Sequence, residues 1–396
     1  MKEIKCKLIK NIDIVLLFVV CVSIFSHIIL HLISDITVHI DQVVKINSSE
    51  IPYPPNFLFY FTINFLSAFS NNLSFLNTVT ILLLSLAAVA KYAISKNIII
   101  RLTGEISDEG SKKKICIIAL GLFFFFAIPD PYTVFVLDKM YLGRLVPIVW
   151  HNSTVIMLFP FAVLLYWKQL QLFDLSYKAT TKDIVIINIL VILNILIKPS
   201  FVFVYIPITF FFLLNRFKVE GLKAFVFYLS PMIIGGLFII GQYYLIYKLQ
   251  QGSFDPEASG IAISSPFEVT LLWIPKWYLP ISFLLSFCLP IFTVFLFKDI
   301  LKYKPFVYAL ALSITGVFIS AFIMETGPRM THGNFTWQNI ICTFLLMLAT
   351  VSYLTPKFLN VKQESKKVKF LLGLFIIHVL SGILYLINYA ETHVYY

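Results

Sequence analysis

Apolar runs long enough to cross a lipid bilayer recur along almost the whole chain, separated by short stretches rich in Lys, Pro, Asn and Ser. A helix needs about 20 apolar residues to cross roughly 30 Å of hydrocarbon. On that rule the pattern predicts about 11 spans, at 11–33, 73–95, 115–136, 151–167, 183–197, 199–214, 225–247, 277–297, 306–323, 337–355 and 370–389. The predicted fold class is all-α: a polytopic transmembrane helical bundle forming a single membrane domain over 1–396, with no soluble domain. The runs 183–197 and 199–214 are short, about 23–24 Å each at 1.5 Å per residue. Lys182 and Arg216 flank the pair on one side, so it reads as a hairpin with Lys198-Pro199-Ser200 at its apex. Between the first two spans lies an outer loop, 34–72. Ile36, Ile40, Val43 and Val44 give it an amphipathic helix, and the apolar piece 57–69 is too short to span and reads as amphipathic or re-entrant.

Composition sharpens this picture. Hydrophobic residues make up 59% of the chain and charged ones 13%, against about 25% charged in soluble domains. Soluble enzymes, coiled coils and disordered tails are excluded. The net charge of +11 would suggest nucleic acid if it were uniform, but the cations sit in short clusters between apolar runs. With the N-terminus inside and the C-terminus outside, all but seven of the 31 Lys and Arg fall on the inner side. The seven are Lys45, Lys139, Arg144, Lys198, Lys248, Lys276 and Arg329. That distribution indicates a lipid bilayer as partner and no nucleic acid. Lys2, Lys5, Lys7 and Lys10 precede the first run, which reads as a retained signal anchor. Five cysteines without a CxxC, four of them in apolar runs, indicate neither a disulfide framework nor a metal cluster. The loop 96–114 has no phosphate-cradling GxxxxGK[ST] pattern, which argues against ATP-driven transport.

Polar groups that recur on one side of a membrane protein are the best pointer to its chemistry. Four places stand out, all on the predicted outer side. The first follows span one: His27, His31, Asp35, His39, Asp41, Glu50 and Tyr53-Pro54-Pro55. His27 and His31 suit either a metal or a buried hydrogen-bonded pair. Asp35 reads either as a helix N-cap or as a catalytic carboxylate at the membrane boundary, with Asp41 and His39 as the neighbouring candidates. The second is 128–153, where Trp150-His151-Asn152 at a helix start could orient a sugar and Arg144 could meet a phosphate; Trp150 and Tyr141 could equally be interfacial anchors. The third is the apex Lys198, either a snorkelling anchor or a phosphate contact. The fourth is 325–337, where Arg329, His332 and Asn334 suit a phosphate or pyrophosphate.

A carboxylate, histidines, aromatic rings and isolated cations at an outer mouth fit transfer from a lipid phosphate. The phosphate needs cations and the acceptor hydroxyl needs a general base. Eleven spans, an inner N-terminus, an Asp just past span one and a long outer loop ending in Tyr53-Pro54-Pro55 resemble the GT-C class of integral-membrane glycosyltransferases. The resemblance implies a polyprenyl-phosphate-linked sugar donor, a glycan or lipid-linked acceptor, inversion at the anomeric carbon, and Asp35 as base with Asp41 as its substitute. Many members carry two neighbouring acids where this chain has Asp35 and Asp41 six apart. No cofactor is firmly implied, and a divalent metal stays open. Arg329-Met-Thr-His-Gly333 is also similar to the Arg-x-x-x-Gly motif of polysaccharide polymerases. The Ile, Lys, Phe and Asn richness resembles chains from AT-rich bacterial genomes, which agrees with cell-surface polysaccharide work at the cytoplasmic membrane. Two other classes stay open. One is a flippase or secondary transporter of a lipid-linked or anionic solute, which would place polar groups at the bilayer midplane. The other is an acyltransferase with His151 or His31 as base.

Overall fold

A computed structural model describes residues 12–104, 108–249, 259–361 and 365–395. The N-terminal lysines, Cys6, and Asp255 and Glu257 of the loop 248–276 lie outside the described residues. Among the described residues, nine helices are long and apolar enough to cross a membrane. They are α1 (Ile12–His31), α4 (Leu73–Thr103), α7 (Ser153–Leu172), α9 (Ser200–Leu222), α10 (Ala224–Lys248), α12 (Leu279–Leu296), α13 (Lys304–Phe322), α14 (Gln338–Leu359) and α15 (Lys366–Thr392). Two further expected spans carry shorter helices, α5 (Glu109–Phe123) and α8 (Thr181–Ile197). At 15 and 17 residues they rise about 22 and 25 Å. α14 is the hub of the bundle: 18 of its 22 residues are buried. By contrast α1, α10 and α15 turn broad apolar faces outward, with Leu16, Ile240 and Leu380 more than half exposed.

The loops between the spans carry four short helices: α2 (Asp35–Asn47), α3 (Leu58–Leu66), α6 (Pro131–Phe135) and α11 (Glu268–Leu271). Ile36, Ile40 and Val43 of α2 are buried, and α3 packs against α2. Two short strands, β1 (Gly260–Ile263) and β2 (Ile323–Thr326), pair antiparallel with Ile261 opposite Glu325. All of these lie at one end of the bundle with the N-termini of α4, α7, α9, α12 and α14. We call this the cavity end. The C-terminus is there too: Ile33 N–H donates to the His393 carbonyl, and the Tyr389 hydroxyl to that of Ile33.

The expected helix 115–136 is not continuous. α5 stops at Phe123, and the chain then runs extended beside α15. His378 Nδ1 lies 2.6 Å from the Phe126 carbonyl, and Phe126 N–H donates to the His378 carbonyl. Gly382 permits this approach, because a Cβ there would sit 1.6 Å from the Phe124 oxygen. Pro129-Asp130-Pro131 then starts α6, with Asp130 Oδ1 capping the Tyr132 and Thr133 amides.

Candidate functional site

The largest described cavity, about 630 Å³, opens at the cavity end. Its walls come from α2, the loops 139–152 and 331–337, the start of α12 and the apex Lys198. Asp35 is the only carboxylate among its lining residues. The way α2 presents it follows from helical spacing: Asp35, Val38, His39 and Gln42, at i, i+3, i+4 and i+7, form one face and all line the cavity. Asp41 is six residues on, about 240° around the helix. Its side chain is exposed and away from the cavity, so the structure does not bring Asp41 to the site.

Asp35 is not the N-cap. Ser34 holds that position, without a side-chain cap bond. Asp35 is the first helical residue, where the open amides of the first turn favour a carboxylate. Its Oδ2 accepts from Asn152 Nδ2 at 3.0 Å. The Asn152 amide cannot turn over, because its Oδ1 caps α7 by accepting from Val155 N–H and from the Thr154 hydroxyl. Burial raises the Asp35 carboxyl above the ordinary carboxylate range, against the Asn152 bond and the positive charges of Lys198 and His332.

Lys198 reaches the cavity because Pro199 forces the residue before it into an extended conformation. Lys198 takes φ −166°, ψ 115°, which swings its side chain out between α8 and α9. Nζ lies 3.4 Å from Thr154 Oγ1 and 4.9 Å from the centroid of the Trp337 ring. Burial pushes it down to about 8. A second cavity of about 170 Å³ adjoins, and Lys198 and Asn334 line both. Here Glu325, fully buried, accepts from the Tyr247 hydroxyl (2.6 Å), Arg329 Nε (2.7 Å) and Asn334 Nδ2 (2.6 Å). Among the described residues Glu325 holds Arg329 through Nε alone, and Arg329 lines this second cavity. The loop closes through Gly333 at φ +59°, a left-handed turn that brings Asn334 back onto Glu325.

His39 and His332 line the large cavity. His39 Nδ1 is 2.7 Å from the Tyr60 hydroxyl and 3.3 Å from Gln42 Oε1, and burial lowers it to about 4, so it is neutral at ordinary pH. His151 is fully buried under Tyr395, with ring centroids 3.8 Å apart. Neither of its ring nitrogens has a hydrogen-bond partner among the described residues, and burial lowers it to about 3.

Several expected contacts do not form. Trp150 is buried in the bundle against Phe25, Phe123 and Phe124 and does not reach the cavity, so it cannot stack on a sugar there. Arg144 lines the cavity, but its guanidinium is committed to Asp130 at 2.5 Å, to the Ile128 carbonyl and to Thr133, so it braces the loop. Tyr53 accepts from Asn64 Nδ2 at 2.7 Å and packs on Phe57 and Phe61, outside the cavity. His27 and His31 are exposed on α1 with rings 5.3 Å apart, not the buried hydrogen-bonded pair. No group of three or more metal-ligating side chains exists among the described residues. The structure adds Gln42, Lys139, Trp273 and Tyr395 to the walls. Gln42 was findable from its i+7 spacing to Asp35; Tyr395 comes from the far terminus and has no local signal.

No protein-family profile, curated protein or solved structure matches the chain.

Proposed function

We propose that the chain is an integral-membrane glycosyltransferase. It moves a sugar from a polyprenyl-phosphate-linked donor to a hydroxyl of a glycan or lipid-linked acceptor, with Asp35 as general base. The observation that carries this reading is the setting of Asp35: a lone carboxylate, desolvated and fixed by Asn152, in a cavity whose other charged walls are cationic. Its Oδ2 is taken by Asn152, which leaves Oδ1 for the acceptor hydroxyl. A carboxyl raised by burial is a stronger base than an ordinary one. As the bond to the donor phosphate lengthens, the sugar gains oxocarbenium character, which the ionised carboxylate stabilises. Lys198, which lines both cavities, meets the departing phosphate, His332 stands beside it in the large cavity, and Asn334 stands between the two cavities to hold a hydroxyl or a phosphate oxygen.

The cavity lies at one end of the bundle, which favours an enzyme at the membrane surface over a carrier with a midplane site. The acyl-transfer alternative through His151 finds less support, because among the described residues neither of its ring nitrogens has a partner to orient it. The test is sugar transfer from a polyprenyl-phosphate donor by membranes holding the wild-type chain and Asp35→Asn at matched expression. The expected loss is about 10²–10⁴-fold. Undiminished transfer by the variant would remove the carboxylate-base mechanism.

A further inference from the structure

Two cavities with apolar walls adjoin the large cavity, one through Lys198 and Asn334 and one through Phe283, and they share no lining residue with each other. One is a groove of about 440 Å³ between α12 and α13, walled by apolar side chains and Ser313. It lies where α12 is broken. Pro290 cannot donate to the Ser286 carbonyl, and Phe287 leaves the helical region at φ −116°, ψ 19°. Both residues line the groove. From Phe283 to Phe295 it follows twelve residues of α12, about 18 Å of depth. Its flanks face outward, with Phe295 73% and Ile314 61% exposed. Phe283 lines both the groove and the large cavity, so a chain in the groove ends at the polar site.

The other is the smaller cavity beside α9 and α10. Phe203, Ile239 and Ile246 form its apolar side, and Lys198 and Arg329 its charged side. Its one carboxylate, Glu325, already accepts three hydrogen bonds. Among the described residues Lys198 contacts only Thr154 and the Trp337 ring, and Arg329 is hydrogen-bonded through Nε alone, so an anion between the two neighbouring cations would relieve their repulsion. The groove, by contrast, carries no charged residue.

We infer that both substrates are anchored in the membrane. A phosphate-linked lipid sugar seats its phosphate between Lys198 and Arg329. A lipid-linked acceptor without charge near its reacting end lays its hydrocarbon chain in the α12–α13 groove and projects its hydroxyl past Phe283. The reaction rests on the glycosyltransferase reading; the two lipid seats do not. In the transfer, the bond from the anomeric carbon to the phosphate oxygen breaks as the acceptor oxygen bonds to that carbon. The hydroxyl proton passes to Asp35. The departing lipid phosphate keeps the electron pair and remains between the two cations.

The test is photolabelling of the full chain in phosphatidylcholine vesicles, read by peptide mapping. One probe is a prenyl phosphate with a diazirine in its chain; the other is an uncharged prenyl glycoside with the same diazirine. The prenyl phosphate labels α9–α10, and the signal falls about fivefold or more in Lys198→Gln/Arg329→Gln. The glycoside labels α12–α13, and its signal falls about fivefold or more in Val317→Trp, which fills the groove. Both patterns survive Asp35→Asn, so a failure of the chemistry leaves the seats standing. Labelling of one helix pair by both probes, or even labelling of every lipid-facing helix including α1 and α15, overturns the two-seat arrangement. The wild-type maps alone decide this if a variant does not fold.

Discussion

Lys198 stands just before α9 and Arg216 lies in its far half, and the two are treated in opposite ways. At the end away from the cavity, Arg216 is buried and spends its guanidinium. Nε donates to the Leu172 carbonyl at 2.5 Å, and Nη2 to the Asp174 and Tyr177 carbonyls at 2.6 and 2.7 Å. Nη1 pairs with Glu220 and reaches the Tyr228 hydroxyl. At the cavity end, Lys198 makes one long contact to Thr154 and lies over an aromatic ring. A cation saturated by carbonyls ties loops together. A cation with donors unspent beside a cavity is set for an anionic ligand. The same contrast separates Arg144, consumed by Asp130 and Thr133, from Arg329, held through a single nitrogen.

Substitutions at the two ends of α9 sharpen that difference. Arg216→Met leaves Glu220 and three carbonyls without their donor, and should destabilise the protein by about 3–5 kcal/mol. The check is thermal unfolding in detergent, with transfer per folded molecule changed less than about twofold. An Arg216→Met protein of wild-type stability would break the comparison. Lys198→Gln should do the reverse. Loss of a charged hydrogen bond is worth about 1.5–3 kcal/mol, so the donor KM should rise about 10–100-fold while the unfolding temperature holds.

The pH profile follows from the same two groups. In the proposed mechanism transfer needs Asp35 ionised, so the rate should fall as pH drops through its raised value. It also needs Lys198 protonated, so it falls again above about 8. The bell should lose its alkaline limb in Lys198→Arg, since a guanidinium keeps its charge there. An unchanged alkaline limb would show that another group sets it. The smallest effect is expected at Tyr53→Phe, which removes the acceptor for Asn64. Stability should fall by about 0.5–1.5 kcal/mol with no change in KM, because Tyr53 lies outside the cavity.

Helix positions and the helical face that carries Asp35 were legible because hydropathy and helical periodicity are local signals. Asp35, His39 and Gln42 fall on one face by spacing alone. What the residues could not reveal was long-range. The fate of the FFFFA stretch after α5 depends on Gly382, more than 250 positions away in the chain. Trp150 looked like a sugar platform because it adjoins His151 and Asn152, yet consecutive residues in an extended segment point to opposite sides, and Trp150 turns into the bundle. Arg144 looked free because Asp130, Thr133 and Tyr278 meet only in three dimensions. Glu325 meets Arg329 four residues on, across a β-strand and a 3₁₀ turn, and the return of Asn334 to the same carboxylate needed the left-handed Gly333.

The most direct measurement sets Asp35→Asn beside Asp41→Asn. Both are acids of one helix, about 240° apart, one in the cavity and one exposed. Initial rates of sugar transfer from a polyprenyl-phosphate donor, in membranes with matched protein levels, should fall about 10²–10⁴-fold for Asp35→Asn and stay within about twofold for Asp41→Asn. Equal rates in the two variants, or loss at Asp41 alone, would contradict Asp35 as the base.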